Sequence, residues 1–312
     1  MIISASRRTD IPALYADWLI NRIHAGFACV RNPMNPRQIS RVKLTPDVVD
    51  GFVFWSKNPA PMRNRLDALR DYAYYFQYTL TPYGRELEPH VPDTQDALRT
   101  FQALADAIGP QRVIWRYDPI VVNPMYPAAF HLRRFEAMAK RLEGYTNKVI
   151  ISFLELDYRN ARRNAQVLQA EPLPADRRRS IAAPLAAIAR GCGMEMNACA
   201  EPLDLRECGV TPAHCVDARL METLLGTRLE IPKDANQRPA CGCDASVDIG
   251  MYNTCGHGCR YCYANYNAGE IANNRQKHDP MSPLLVGSIG PTDTVTERVI
   301  QSNRADQLKF DF

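Results

Sequence analysis

Seven short runs along the chain are almost wholly apolar or aromatic: Ile2–Ser6, Phe52–Ser56, Tyr74–Leu80, Val113–Tyr117, Val149–Leu154, Met194–Cys199 and Val247–Tyr252. Continuous rather than alternating apolar runs of this length predict strands covered on both faces. Between them the apolar positions shift to helical spacing, over Ala13–Ala25, Pro61–Leu69, Thr94–Ile108, Phe130–Leu142 and Arg177–Arg190. The stretch Thr94–Ile108 shows the logic. Leu98, Phe101, Leu104 and Ile108 fall on one helical face, Asp93 or Thr94 can cap the start, and Gly109-Pro110 ends it.

Repeated strand–helix alternation predicts an α/β fold with a parallel sheet and right-handed crossovers. No Gly-rich dinucleotide fingerprint follows any strand, and about seven units suit a (βα)n barrel, partial or closed and TIM-like, better than a doubly wound sheet. In such a barrel, chemistry sits where strands end. The strand ends here carry Ser6-Arg7-Arg8, Ser56-Lys57-Asn58, Thr79 to Thr81, Arg116-Tyr117-Asp118 and Glu155. Loop charges and helix caps use the same residue types, so the collective pattern carries more than any single position. The expected organisation is one barrel over residues 1–280, with a cysteine-rich insert at 199–243 and a loop at 253–265. Residues 281–312 form a C-terminal tail expected to wrap the surface.

Hydrophobic residues make up 46% and charged residues 23%, the balance of a soluble globular chain. A formal charge of +4 is small for 312 residues, so charge alone does not point to nucleic acid. No run approaches the ~18 apolar residues of a membrane span. In MIISASRRTD the arginines follow the short apolar run, the reverse of a secretory leader, and a cytoplasmic protein is expected. The ten cysteines change the picture. A large chain in a reducing compartment uses clustered cysteines for metal or catalysis rather than disulfides.

Three of them lie within eight residues, in Cys255-Gly-His-Gly-Cys259-Arg-Tyr-Cys262, directly after the last strand. Gly256 and Gly258 supply the freedom to curl the thiols together. Three thiolates can hold three irons of a cubane cluster and leave the fourth open to a small ligand. Zinc is the competing reading, and His257 inside the loop is the extra ligand it would use.

The C-x3-C-x2-C spacing, with an aromatic residue before the last cysteine, resembles the signature of the radical S-adenosylmethionine superfamily. That resemblance implies a [4Fe-4S] cluster whose open iron binds S-adenosylmethionine. Reductive cleavage then gives methionine and a 5′-deoxyadenosyl radical that takes hydrogen from substrate. It also implies a low-potential donor such as flavodoxin or ferredoxin, with Tyr261 lying against the adenine. The superfamily places this motif after its first strand, whereas here it follows the last. A circular permutation reconciles the two, setting Val247–Tyr252 beside Ile2–Ser6 and Arg7 and Arg8 next to the loop. The superfamily's Gly-Gly-Glu element is not recognisable. Over nearly its whole length the chain also resembles an uncharacterised bacterial family, the domain of unknown function numbered 1848. ISASRRTDIPA, RNPMNP, FWSKNPAPM, YYFQYTLTPYG, RVIWRYDPI, KVIISF, CGC and YNTCGHGCRYCYANY carry that likeness.

Cys199, Cys215, Cys241 and Cys243 form a second candidate set for an auxiliary cluster, a structural zinc or no shared site. Cys29, Cys192 and Cys208 read as isolated thiols. Arg7, Arg8, Lys57, Asp118 and Glu155 are the candidates for binding cofactor carboxylate, ribose or substrate anions. Tyr78, Tyr83 and Tyr117 stand as packing residues, with base stacking or electron relay as the other reading. The basic runs Arg159 to Arg163 and Arg177 to Arg179 read as solvated helix faces rather than phosphate sites. The expected activity is a radical enzyme of unknown substrate. The alternatives are a zinc-stabilised nucleic-acid-binding module or a radical enzyme of nucleic-acid repair, the latter because Tyr-Cys-Tyr-Ala resembles spore photoproduct lyase.

Overall fold

The computed structural model describes residues 1–299 and 301–305. Strands form within all seven expected runs, the last of them only over Val247 and Asp248 of Val247–Tyr252. With four further short ones they are β1 (Ile2–Ala5), β2 (Phe27–Arg31), β3 (Gln38–Lys43), β4 (Gly51–Ser56), β5 (Tyr74–Thr79), β6 (Val113–Ile120), β7 (Lys148–Phe153), β8 (Glu195–Ala198), β9 (Thr211–Pro212), β10 (Ser246–Asp248) and β11 (Thr294–Glu297). Eight make one parallel sheet in the order β10-β1-β4-β5-β6-β7-β8-β9. The protein is therefore α/β around a parallel sheet, with β9 and β10 as its two edges.

The two faces of this sheet explain the continuous apolar runs. Ile3, Phe52, Phe54, Tyr74, Phe76, Val113, Trp115 and Val149 pack with Phe101, Phe135 and Leu185 of the helices Thr94–Ile108, Ala128–Leu142 and Ala175–Gly191. The alternate positions Ile2, Val53, Tyr75, Ile114 and Ile150 form a second apolar cluster with Met221 of the helix Ala218–Leu225. Further along each strand this second face turns polar, through Ser4, Gln77, Arg116, Asp118 and Ser152. Both faces are thus covered, but one is apolar only in its first half.

The sequence expectation of β10 beside β1 is met, in parallel register with Ile2 opposite Ser246 and Ser4 opposite Asp248. Asp248 fastens this pair. Its carboxylate accepts from Ser4 Oγ (2.8 Å), Ser6 Oγ (2.6 Å), the Arg7 amide (2.7 Å) and the Gly250 amide (2.9 Å). A Cβ on Gly250 would stand 2.1 Å from Ser6 Oγ, so the close approach requires glycine there.

Several boundaries differ from the expectation. The stretch 13–25 is two helices, Ile11–Leu14 and Ala16–Ala25, because the Asp10 carboxylate caps a separate first turn through the Ala13 amide. The stretch 61–69 splits into a turn of α-helix, Ala60–Arg63, and a 3-10 turn, Leu66–Leu69. The tail does more than wrap. β11 adds to β3 in a small sheet β11-β3-β2, Arg31 pairs with Asp293 at 2.8 Å, and the Trp18 indole donates to the Ser282 and Leu284 carbonyls. Residues 306–312 of the expected tail lie outside the described residues. Among the described residues no helix is long and apolar enough to cross a membrane.

Candidate metal centre

The polar ends of β1 and β4 to β8 surround one cavity of ≈ 400 Å³. Its volume falls within the ~300–1,000 Å³ of small-molecule pockets. Arg7, Arg8, Lys57, Asp118, Glu155 and Tyr261 all line it. So do Cys255, Cys259 and Cys262 on one side, and Cys199, Cys215, Cys241 and Cys243. Both cysteine sets and the candidate anion- and cofactor-binding residues therefore meet in one place, although Cys199 and Cys215 lie 40 or more positions before Cys255.

The loop that carries Cys255, Cys259 and Cys262 is held by side-chain amides. Asn265 Oδ1 accepts from the amides of Thr254 and Cys255, both at 2.9 Å, and its Nδ2 reaches the Arg8 carbonyl at 3.2 Å and Cys262 Sγ at 3.6 Å. Asn253 sits at φ +54° and accepts from the amide of Tyr266. Gly258 turns at φ +72°, where a side chain would be strained. His257 Nε2 meets the Asp10 carboxylate at 2.8 Å, and Nδ1 lies 3.4 Å from the His90 carbonyl. With both ring nitrogens engaged, His257 braces the loop against Asp10 at the start of the helix Ile11–Leu14 and against the His90 backbone. Burial pushes the Cys255 thiol up to about 12 and the Cys259 thiol upward too, so binding a metal here releases protons. Asn265→Ala leaves two buried amides unpaired, at about 1–3 kcal/mol each. The expected outcome is a clear loss of bound metal per chain on anaerobic metal analysis, partly restored in Asn265→Asp, which keeps the acceptor.

Two charged networks line the floor. Lys57 Nζ reaches Glu88 at 2.8 Å, and the hydroxyls of Thr81 (2.6 Å) and Tyr261 donate to the same Glu88 oxygen. Burial works against the Lys57 charge, but Glu88 and the neighbouring Cys259 and Asp118 outweigh it and hold the ammonium above its ordinary pKa. Glu88 was not foreseen from sequence, since it lies in the loop 81–93 and no periodicity marks it. Opposite, Arg116 pairs with Asp118, which also accepts from Ser152. Glu155 is paired with Arg238 at 2.7 Å, so neither is a free charge. Tyr78, Tyr83 and Tyr117 are packing residues: their hydroxyls bond to the Ala97 carbonyl, the Pro119 carbonyl and His131 Nδ1. Arg159, Arg162, Arg163, Arg177 and Arg179 are exposed on helices, as solvated faces are.

Residues 2–264 match the family described as Domain of unknown function (DUF1848). The chain belongs to the DUF1848 family. The matched span runs from β1 to the end of the cysteine loop, so it includes both edges of the sheet and all seven cavity cysteines. No curated protein matches the chain.

In this DUF1848 protein the second cysteine set is compact. Cys215 donates its S–H to Cys199 Sγ at 3.4 Å, and Cys243 Sγ accepts from the Val216 amide at 3.4 Å. Arg116 Nη1 lies 2.9 Å from Cys215 Sγ. The Cys215 S–H and, against burial, Arg116 pull the Cys199 thiol down to about 7. Cys215, Cys241, the Val216 amide and Arg7 hold Cys243 well below the usual thiol range. Among the described residues no three His, Cys, Asp or Glu side chains, of either cysteine set, stand as a ready-made single-ion site. In a cubane each thiolate holds a different iron, which asks for thiols spaced around a body larger than an ion. Cys255, Cys259 and Cys262 are three thiols from one braced loop that line this cavity. Cys29 and Cys192 are buried away from that cavity, and Cys208 also lies outside it.

Proposed function

We propose that the chain is a radical S-adenosylmethionine enzyme built on a permuted, incomplete parallel barrel. The observation that supports this most is the position of Cys255, Cys259 and Cys262. They follow β10, which pairs with β1, and they line the same cavity as the polar ends of β1 and β4 to β8. β10 thus stands where the motif-bearing first strand stands in the superfamily the loop resembles.

Cys255, Cys259 and Cys262 would hold a [4Fe-4S] cluster by three irons, leaving the fourth toward the cavity. When bound, that cluster supplies the electron that splits S-adenosylmethionine into methionine and a 5′-deoxyadenosyl radical. The protein's own residues bind, orient and exclude water. Arg8 lines the cavity with its guanidinium 3.4 Å from the Gly250 carbonyl, 3.9 Å from Asp248 and 5.2 Å from the Tyr252 ring centre, where it would meet a cofactor carboxylate. Tyr261 is pinned by Glu88 at the cavity wall, so its ring offers a fixed face for the adenine. Lys57, charged and held by Glu88, faces that ring at 5.7 Å. The electron comes from a flavodoxin- or ferredoxin-type donor.

Reconstituted protein, reduced under anaerobic conditions and given S-adenosylmethionine, is expected to yield 5′-deoxyadenosine detectable by mass spectrometry. A full complement of iron and sulfide without that product would overturn the reading.

A further inference from the structure

The eight-stranded sheet ends in β9 on one side and β10 on the other, and among the described residues no strand ladder joins these two edges. The segments flanking the gap nevertheless meet. The Asp244 amide donates to the Val216 carbonyl at 3.0 Å, the Ala218 amide to Asp244 Oδ2 at 2.7 Å, and the Val216 amide to Cys243 Sγ at 3.4 Å. Cys199 follows β8, Cys215 follows β9, and Cys241 and Cys243 precede β10. All four are free thiols.

We propose that Cys199, Cys215, Cys241 and Cys243 bind a second iron–sulfur cluster, fully ligated by four thiolates, that joins the two open edges of the sheet. Three observations carry this assignment. Cys215 Sγ lies 3.4 Å from Cys199 Sγ, the Val216 amide next to Cys215 donates to Cys243 Sγ at 3.4 Å, and all four thiols line one cavity, which gives room for a body larger than an ion. Two guanidinium groups also stand against the set, each shared with a carboxylate, Arg116 with Asp118 and Arg7 with Asp234, and they offset part of the about −2 that four thiolates on a 2+ cubane core carry. Arg116 Nη1 is 2.9 Å from Cys215 Sγ, and Arg7 lies beside Cys243. Finally, Arg7 Nη1 is buried with no hydrogen-bond partner, although Nη2 is satisfied by Asp234 at 3.2 Å and Ser246 at 2.9 Å. A buried guanidinium N–H is costly to leave unmade, and a cluster sulfur beside Cys243 would accept from it. The iron and sulfide come from the cell's cluster supply or from reconstitution, and the four thiols give up their protons to solvent on binding.

The assignment goes beyond the radical reading and is tested apart from it. The full chain and the variant C255A/C259A/C262A are purified anaerobically, reconstituted with iron and sulfide, and assayed for iron, sulfide, zinc and free thiols. The triple variant is expected to keep about four irons and four sulfides per chain, half of the wild-type content. Single substitution of Cys199 by serine, at the cavity edge, is expected to lower that retained iron in the triple-variant background while leaving the far-ultraviolet dichroism unchanged. A triple variant that holds zinc, no metal, or a Cys199–Cys215 disulfide in place of two free thiols overturns the assignment. If wild type binds only about four irons and the triple variant none, the second cluster fails and the first stands. If wild type binds about four and the triple variant keeps them, the second stands and the radical reading fails.

Discussion

Replacing Cys255, Cys259 or Cys262 by alanine, one at a time, is expected to abolish formation of 5′-deoxyadenosine. Each thiol would hold a different iron, so no neighbour can take over, and nearby substitutes are already engaged. His257 is tied to Asp10 and Asn265 to the loop backbone. Loss should exceed ~10³-fold, a barrier change of about 4 kcal/mol. The thermal midpoint should move little by comparison, since the loop is braced by Asn265, Asn253 and Tyr15 rather than by its sulfurs. Mass spectrometry of the product beside calorimetry of the same preparations separates the two quantities. Product formation at wild-type rates in any one variant would remove that cysteine from the proposed site.

The second large effect concerns Glu88. Replacing it by alanine strands the buried Lys57 ammonium and leaves the Thr81 and Tyr261 hydroxyls without their acceptor. Removing one partner of a buried pair costs about 3–5 kcal/mol, because the remaining charge stays desolvated. At ~2–4 °C per kcal/mol for a larger domain, the melting temperature should fall by roughly 10 °C. The pair variant Lys57→Met with Glu88→Leu is expected to regain much of that loss, because it removes the stranded charge as well as its partner. A Glu88→Ala protein that melts within ~1 °C of wild type, or a pair variant less stable than the single one, would show that Glu88 is not holding the charge.

The sheet was legible because its strands are continuous apolar runs, and the buried outer face requires this at Phe52, Phe54, Phe76 and Trp115. Their C-terminal ends were legible as a site because polar residues interrupt those runs at Arg116, Asp118 and Ser152. The pairing of β10 with β1 could be expected only through the family resemblance, as nothing local in Val247–Tyr252 names a partner 244 residues away. Three features stayed hidden. Glu88 is one acidic residue in a loop, and its role depends on burial beneath Tyr261. The short strands β2 and β3 pair with each other, and β11 reaches β3 from the tail, with no continuous apolar run to mark any of them. The split of the helix at Tyr15 follows from the Asp10 cap, whose second oxygen is taken by the Lys57 amide and His257, partners that only the fold supplies.

The pairing of β1 with β10 also sets a schedule. Chains leave the ribosome at ~5–20 residues per second, so β1 waits on the order of ten seconds or more for the strand beside it. Until Asp248 arrives, Ser4, Ser6 and the Arg7 amide lack their shared acceptor, and the cavity lacks the wall that carries Cys255, Cys259 and Cys262. The site is therefore the last part of the sheet to be assembled, and any metal it takes must wait until Cys262 has been made.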